Sequence, residues 1–161
     1  MPTQIDQIAA APNEVNPMDV RPWNDDGTGQ GQRQMGNIVG TLLASAARTT
    51  NTSGVALANP NHRGLILYLN VTAVSGTTPT IQLRVNAIDP ITGTAFPIWT
   101  PAALAPPVAT TEYVYALYPS ALAESFTVSL NGVLPRTWSV DVLITGTTPS
   151  VTFSLGYSLL G

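Results

Sequence analysis

The clearest pattern in the chain is an alternation of side chains near its C-terminal end. Trp138, Val140, Val142 and Ile144 alternate with Ser139, Asp141, Leu143 and Thr145, the period of two expected of a half-buried strand. Gly146-Thr147-Thr148-Pro149 interrupts the pattern with turn chemistry. Val151, Phe153 and Leu155 then resume it against Thr152, Ser154 and Gly156. Residues 134–160 therefore predict a β-hairpin. The same device occurs earlier, where an apolar run over 65–74 meets Ser75-Gly76-Thr77-Thr78-Pro79 and a second strand follows over 80–87. The two Gly-Thr-Thr-Pro segments start 70 residues apart, and each leads into a hydroxyl residue and a β-branched apolar one. Either this is good turn chemistry used twice, or an internal duplication places one hairpin in each half of a sandwich. Two short matches are too few for a solenoid array.

The remaining chain reads as shorter strands between turns. Residues 37–50 could place Ile38, Leu42 and Ala46 on a helix face, but Gly40, Thr41, Thr49 and Thr50 favour an extended strand. Residues 55–57 form a short strand between the turns at 51–54 and Asn59-Pro60-Asn61. Asp89-Pro90-Ile91-Thr92-Gly93 is a further turn. Residues 96–107 contain Pro97, Pro101, Pro106 and Pro107, which excludes a central strand and predicts a long surface connection carrying Trp99. Tyr113 and Tyr115 alternate with Val114 and Ala116, and Phe126, Val128 and Leu130 with hydroxyl residues. The sum, roughly seven to nine strands with short turns, predicts an all-β, antiparallel β-sandwich, jelly-roll-like or immunoglobulin-like, over residues 37–161.

Residues 1–36 read differently. Pro2, Pro12, Pro17 and Pro22 interrupt isolated apolar residues, and Gly27, Gly29 and Gly31 follow in a Gln-rich link. Such a segment buries too little surface by itself to offset its ordering entropy. It is expected to be an extended N-terminal arm, in which Val20, Arg21, Pro22 and Trp23 supply an aromatic anchor for a partner.

Composition sharpens this picture. Hydrophobic residues make up 44% of the 161 and charged residues 9%, against roughly 25% charged in an ordinary soluble domain. A surface so poor in charge favours a partner or an assembly, and a homo-oligomer is expected. The net charge of −3 resides in the arm, where Asp6, Glu14, Asp19, Asp25 and Asp26 outweigh Arg21 and Arg33. Beyond it, Arg48, Arg63, Arg84 and Arg136 balance Asp89, Glu112, Glu124 and Asp141. No basic stripe exists for direct nucleic-acid binding. No apolar run approaches a membrane span, and the N-terminus lacks a secretory pattern. There is no cysteine, which removes disulfides and thiolate metal sites.

The candidate chemistry is sparse. His62, the single histidine, stands in a turn at a strand entrance and is expected to pack or cap. Asp25-Asp26-Gly27 lacks the alternating carboxylates and terminal Glu of a calcium loop. Asn51-Thr52-Ser53 and Asn70-Val71-Thr72 fit a glycosylation pattern only by chance, given the missing secretory signal. No catalytic set, metal or cofactor is expected, and the chain is not expected to be an enzyme. Arg63 and Arg136, each beside turn residues, either cap carbonyls or pair with acids such as Glu112 or Asp141, or reach across a subunit boundary.

Four blocks carry a resemblance: Asn61-His62-Arg63-Gly64; residues 71–76; Leu134-Pro135-Arg136-Thr137-Trp138; and residues 146–154. In this order they resemble a group of short proteins encoded among the virion structural genes of tailed phages and prophages, over about residues 44–161. The resemblance implies a virion component made in the host cytoplasm. Its favoured role would be a capsid decoration, or cement, protein on the capsid exterior that binds the major capsid protein, most often as a trimer. The alternatives are a tail, neck or fibre-associated adaptor, and a carbohydrate- or host-surface-binding module with Trp99, Tyr113, Tyr115 and Tyr118 as an aromatic platform.

Overall fold

A computed structural model describes residues 36–119 and 127–161. The expected arm, with Val20, Arg21, Pro22 and Trp23, therefore lies outside the described residues except for Gly36. The strands are β1 (Ile38–Arg48), β2 (Leu57–Ala58), β3 (Gly64–Ile88), β4 (Ala95–Trp99), β5 (Thr111–Leu117), β6 (Val128–Leu130) and β7 (Thr137–Leu160). There is no helix among the described residues, so residues 37–50 take the extended alternative.

The two predicted hairpins do not form. β3 and β7 each continue through their Gly-Thr-Thr-Pro segment and pair antiparallel along nearly their whole length, from Gly64↔Leu160 through Thr77↔Thr147 to Ala87↔Trp138. The two segments therefore lie opposite each other and turn one corner together. Gly76 and Gly146 have φ of 102° and 132°, and Thr78 and Thr148 have φ of 48° and 47°, the left-handed values that a sharp bend requires. A Cβ on Gly76 would stand 2.4 Å from the carbonyl oxygen of Thr148, and one on Gly146 would stand 2.8 Å from that of Thr78. The repeated motif thus forms the two sides of one bend, which contradicts one hairpin per half.

Ring contacts show that the ribbon folds back at this corner. Trp138 and Tyr157 are nineteen residues apart on one strand, a span of about 60 Å if straight, yet their centroids are 5.6 Å apart at 73°. Trp99 of β4 meets Tyr115 of β5 edge to face at 6.3 Å. The result is a β-sandwich made by doubling one sheet on itself. One layer runs β1, second half of β7, first half of β3, β5; the other runs β2, first half of β7, second half of β3, β4. Each stretch passes from one layer to the other, which is the strand order of an eight-stranded jelly roll. β6 is added outside β5 and is parallel to it, an exception to the antiparallel expectation.

The core follows the alternation. Leu65, Leu67, Leu69 and Val71 face Ile81, Leu83 and Val85 across the layers, with Trp138, Val140, Val142, Phe153 and Leu155 beside them, all essentially buried. In β7 the buried apolar side chains pass from even positions (138–144) to odd positions (151–155) across the corner, while Ser139 and Asp141 are buried on the other face. The expected connection over 96–107 needs correction. Its first residues belong to β4, where Pro97 pairs with Asn86 at an edge beside a register shift, and Trp99 is in the core, 8% exposed. Proline is tolerated there because an edge position needs no outward N–H.

The sheet edges are blunted. β4 carries Pro97, β2 has two residues, β6 has three, and β1 has two register shifts against β7. Arg48 covers the irregular part of β1: its guanidinium donates to the carbonyls of Ala44 (2.8 Å), Ala46 (3.1 Å) and Phe153 (3.0 Å) and lies 4.6 Å above the Phe153 ring. Such edges discourage strand addition.

Candidate functional site

Two of the four blocks that carry the resemblance meet at the end of the sandwich opposite the corner. The loop 59–63 and the loop 131–136 are joined there by backbone and side-chain hydrogen bonds. Asn59 is the hub: its N–H donates to the Arg136 carbonyl (2.7 Å), and its Nδ2 donates to the carbonyls of His62 (2.8 Å) and Leu134 (3.1 Å). Its Oδ1 accepts the His62 N–H at 2.7 Å. Asn59 is 4% exposed, so all these bonds are largely shielded from water. Arg63 donates its N–H to Leu160 and accepts from Leu134 N–H, tying both loops to the end of β7. Asn61 has φ 78°, a turn conformation that asparagine tolerates. Gly64 allows Tyr118 to lie against the start of β3, because a Cβ there would reach within 2.1 Å of the ring.

His62 does what its turn position suggested. It is 3% exposed, and its Nε2 lies 2.9 Å from the carbonyl oxygen of Gly36. A carbonyl only accepts, so Nε2 is the donor in this bond, and Nδ1 is buried without a hydrogen-bond partner among the described residues. The histidine thereby ties Gly36, just ahead of β1, to the turn at the entrance of β3. No group of three or more histidine and acid side chains that could hold a metal occurs among the described residues.

The two arginines singled out in the sequence are brought to this end, and neither pairs with Glu112 or Asp141. Arg136 is exposed and donates Nη1 to Asn61 Oδ1 at 2.8 Å. Arg63 is exposed, and no described residue bonds its guanidinium. Asp141 belongs to Arg84 instead, which stands directly opposite it across β3 and β7. Arg84 donates Nε (3.2 Å) and Nη2 (2.8 Å) to Asp141 Oδ2, Asn86 adds Nδ2 at 3.0 Å, and Gly54 donates its N–H to Oδ1 at 3.1 Å. Burial by itself would raise the Asp141 carboxyl, but the bonds from Arg84, Asn86 and Gly54 outweigh it and hold it below the usual range. This network was missed in the sequence, although Arg84 and Asp141 both occupy polar phases of alternating strands. It helps hold the segment 51–55 along the edge of β7, where Thr52 and Val142 exchange backbone hydrogen bonds and a Cβ on Gly54 would stand 2.2 Å from the Val140 carbonyl.

The proposed aromatic platform does not assemble. Trp99 and Tyr115 are in the core, 8% and 2% exposed, and Tyr113 spends its hydroxyl on the Val108 N–H at 2.9 Å. Burial pushes the Tyr115 phenol up to about 12, with a smaller contribution from Tyr113. At the opposite end, beside the corner, residues 74–76, 78–80 and 105–107 enclose a mainly apolar pocket of about 560 Å³.

No protein-family model and no curated protein matches the sequence. Among solved structures, the chain is similar to infectious bursal disease virus of the Gt strain, at 11% identity over 81% of this chain and 34% of that one, with TM-score 0.45. The Gx strain of the same virus gives 13% identity over 81% and 33%, with TM-score 0.42. The chain thus spans about a third of the length of these viral chains. A protein of the disulfide-linked pili of Bacillus endospore appendages is also similar, at 19% identity over 81% of this chain and 93% of that one, with TM-score 0.41.

Proposed function

We propose that this chain is a structural component of a virus particle, and specifically a capsid decoration protein that binds the assembled lattice of a tailed-phage major capsid protein. The supporting observation is the end of the sandwich opposite the corner. The blocks Asn61-His62-Arg63-Gly64 and Leu134-Pro135-Arg136-Thr137-Trp138 join there in one bonded surface, beside Gly36, whose carbonyl His62 bonds. Arg63 and Arg136 extend from it into solvent and would meet acceptors on the shell, as arginine does at protein interfaces. Jelly rolls serve capsid and lectin proteins alike, so the fold alone does not select the role. The carbohydrate-binding alternative loses its platform, because Trp99 and Tyr115 are core residues. Binding the assembled shell and not its dissociated subunits would stabilise the shell by mass action. Homo-oligomerisation, with a trimer on a symmetry axis, and an arm engaging a neighbouring subunit would add avidity.

The test is co-sedimentation of the full chain with shells assembled without it. Saturable binding, weakened by the double substitution Arg63→Gln/Arg136→Gln in a chain of unchanged melting temperature, is expected. Absence of binding to shells, with binding to isolated tails, would replace the decoration role by the adaptor.

A further inference from the structure

The positive side chains among the described residues are Arg48, Arg63, Arg84 and Arg136, and two of them are spent inside the fold. Arg48 gives its guanidinium to the carbonyls of Ala44, Ala46 and Phe153 and lies over the Phe153 ring. Arg84 pairs with Asp141 at 2.8 Å. Arg63 and Arg136 are exposed together at the end opposite the corner, and no described carboxylate pairs with either. Glu112 stands opposite Asn70, about 20 Å along β3 from its Gly64 end at the strand rise, too far for a side chain to bridge. Asp89 lies at the same end, but its oxygens accept the Ile91 N–H (2.8 Å) and the Thr92 hydroxyl (2.7 Å) of its own turn. The frame beneath the two arginines is shared. Asn59, 4% exposed, donates its N–H to the Arg136 carbonyl (2.7 Å) and its Nδ2 to the carbonyl of His62 (2.8 Å), the residue before Arg63. Leu134 N–H donates to the Arg63 carbonyl (3.1 Å), and Arg136 Nη1 donates to Asn61 Oδ1 (2.8 Å).

We propose that Arg63 and Arg136, held as one unit by Asn59, form a two-point carboxylate-binding surface whose partner is an acidic patch on another protein. Asn59 is its positioning residue. The inference deepens the virion reading above, in which that patch would belong to the shell. A guanidinium presents parallel N–H donors that match the two oxygens of a carboxylate. Because one buried side chain sets both backbones, the second contact follows the first without further ordering of the loops. Two cations without a basic stripe are too few for a nucleic-acid backbone, which is held through many phosphate contacts. A carboxylate pair on a protein surface needs no more than two.

The test uses the full chain labelled with nitrogen-15 and a hexaglutamate peptide as probe, with arginine side-chain and backbone amide resonances followed at low salt. Shifts are expected at Arg63, Arg136 and the loops 59–63 and 131–136, with Arg48 and Arg84 silent, and binding should weaken as salt is raised. Arg63→Gln and Arg136→Gln should each lower the affinity about fivefold and leave the melting temperature unchanged. Asn59→Ser keeps both guanidinium groups and should lose a similar factor at a temperature well below its own melting point, a loss that a purely structural role would not produce. Should Asn59→Ser fail to fold, the two arginine variants, at exposed sites, decide the proposal. No response to the peptide, shifts that include Arg48 or Arg84, arginine variants that bind like the wild type, or an equal response to a six-nucleotide single strand would each overturn it. Co-sedimentation with shells separates this inference from the reading on which it rests. Peptide binding without shell binding would overturn the virion role alone, and shell binding untouched by Arg63→Gln/Arg136→Gln would overturn the acidic partner surface alone.

Discussion

Replacing Asp141 with alanine probes the network that fastens segment 51–55 to the sandwich. The carboxylate accepts four hydrogen bonds, two from Arg84 and one each from Asn86 and Gly54. Its side chain is 11% exposed and that of Arg84 is 35% exposed. Removing one member of a fully buried pair costs about 3–5 kcal/mol, but Arg84 can turn partly to water, and Asn86 retains Ser139 Oγ at 3.2 Å. Gly54 has no such recourse while the segment stays in place. The expected loss is about 2–3 kcal/mol, a fall of roughly 10 °C in melting temperature for a domain of this size. The pH dependence gives a second readout. A carboxyl whose folded pKa is depressed contributes stability above its unfolded pKa and loses it as pH falls through the folded value. The difference between wild type and Asp141→Ala should therefore be full near neutral pH and shrink steadily below about pH 4. Thermal melts at a series of pH values measure both. A variant within about 2 °C of wild type at neutral pH, or a deficit that persists undiminished in strong acid, would refute this account of the network.

Three further outcomes follow from the same geometry. Gly54→Ala should cost about 2 kcal/mol or more, because its Cβ would stand 2.2 Å from a backbone oxygen that cannot swing aside; additivity with Asp141→Ala in a double-mutant cycle would contradict the shared attachment. Gly76→Ala and Gly146→Ala should each destabilise by about 1–3 kcal/mol, since both need positive φ, and a neutral result at either would dispute the corner. Tyr115 should titrate near 12, followed by ultraviolet absorbance. With its folded pKa raised, its contribution to stability is full below about pH 10 and is lost as pH rises toward 12; a phenol titrating with exposed tyrosines would contradict its burial.

The sequence reveals the strands more readily than their partners. Alternation over 138–144 and 151–155 marks the inner face correctly, because a half-buried strand must show it. Gly-Thr-Thr-Pro, however, supplies the same left-handed residues to a chain reversal and to a bend. What separates them is pairing between positions 70 residues apart, which no local pattern reports. The clue was that both motifs have strands of similar length on each side, so that two such strands can lie antiparallel with their motifs in register. Pro97 correctly excluded a central strand but concealed an edge strand, since four of the five residues of β4 are exposed and show no alternation. At the candidate site, Asn61-His62-Arg63-Gly64 and Leu134-Pro135-Arg136-Thr137-Trp138 were legible only as two turns. Their union depends on Asn59, a residue that the sequence marks as turn chemistry, with four bonds that only the folded chain reveals.

The proposed role is tested most directly by imaging gradient-purified particles made with and without this protein, and then heating both. The account predicts protrusions that follow the shell lattice, and particles without the protein that open at a lower temperature. Density confined to the tail or portal vertex, with shells equally stable in its absence, would contradict it.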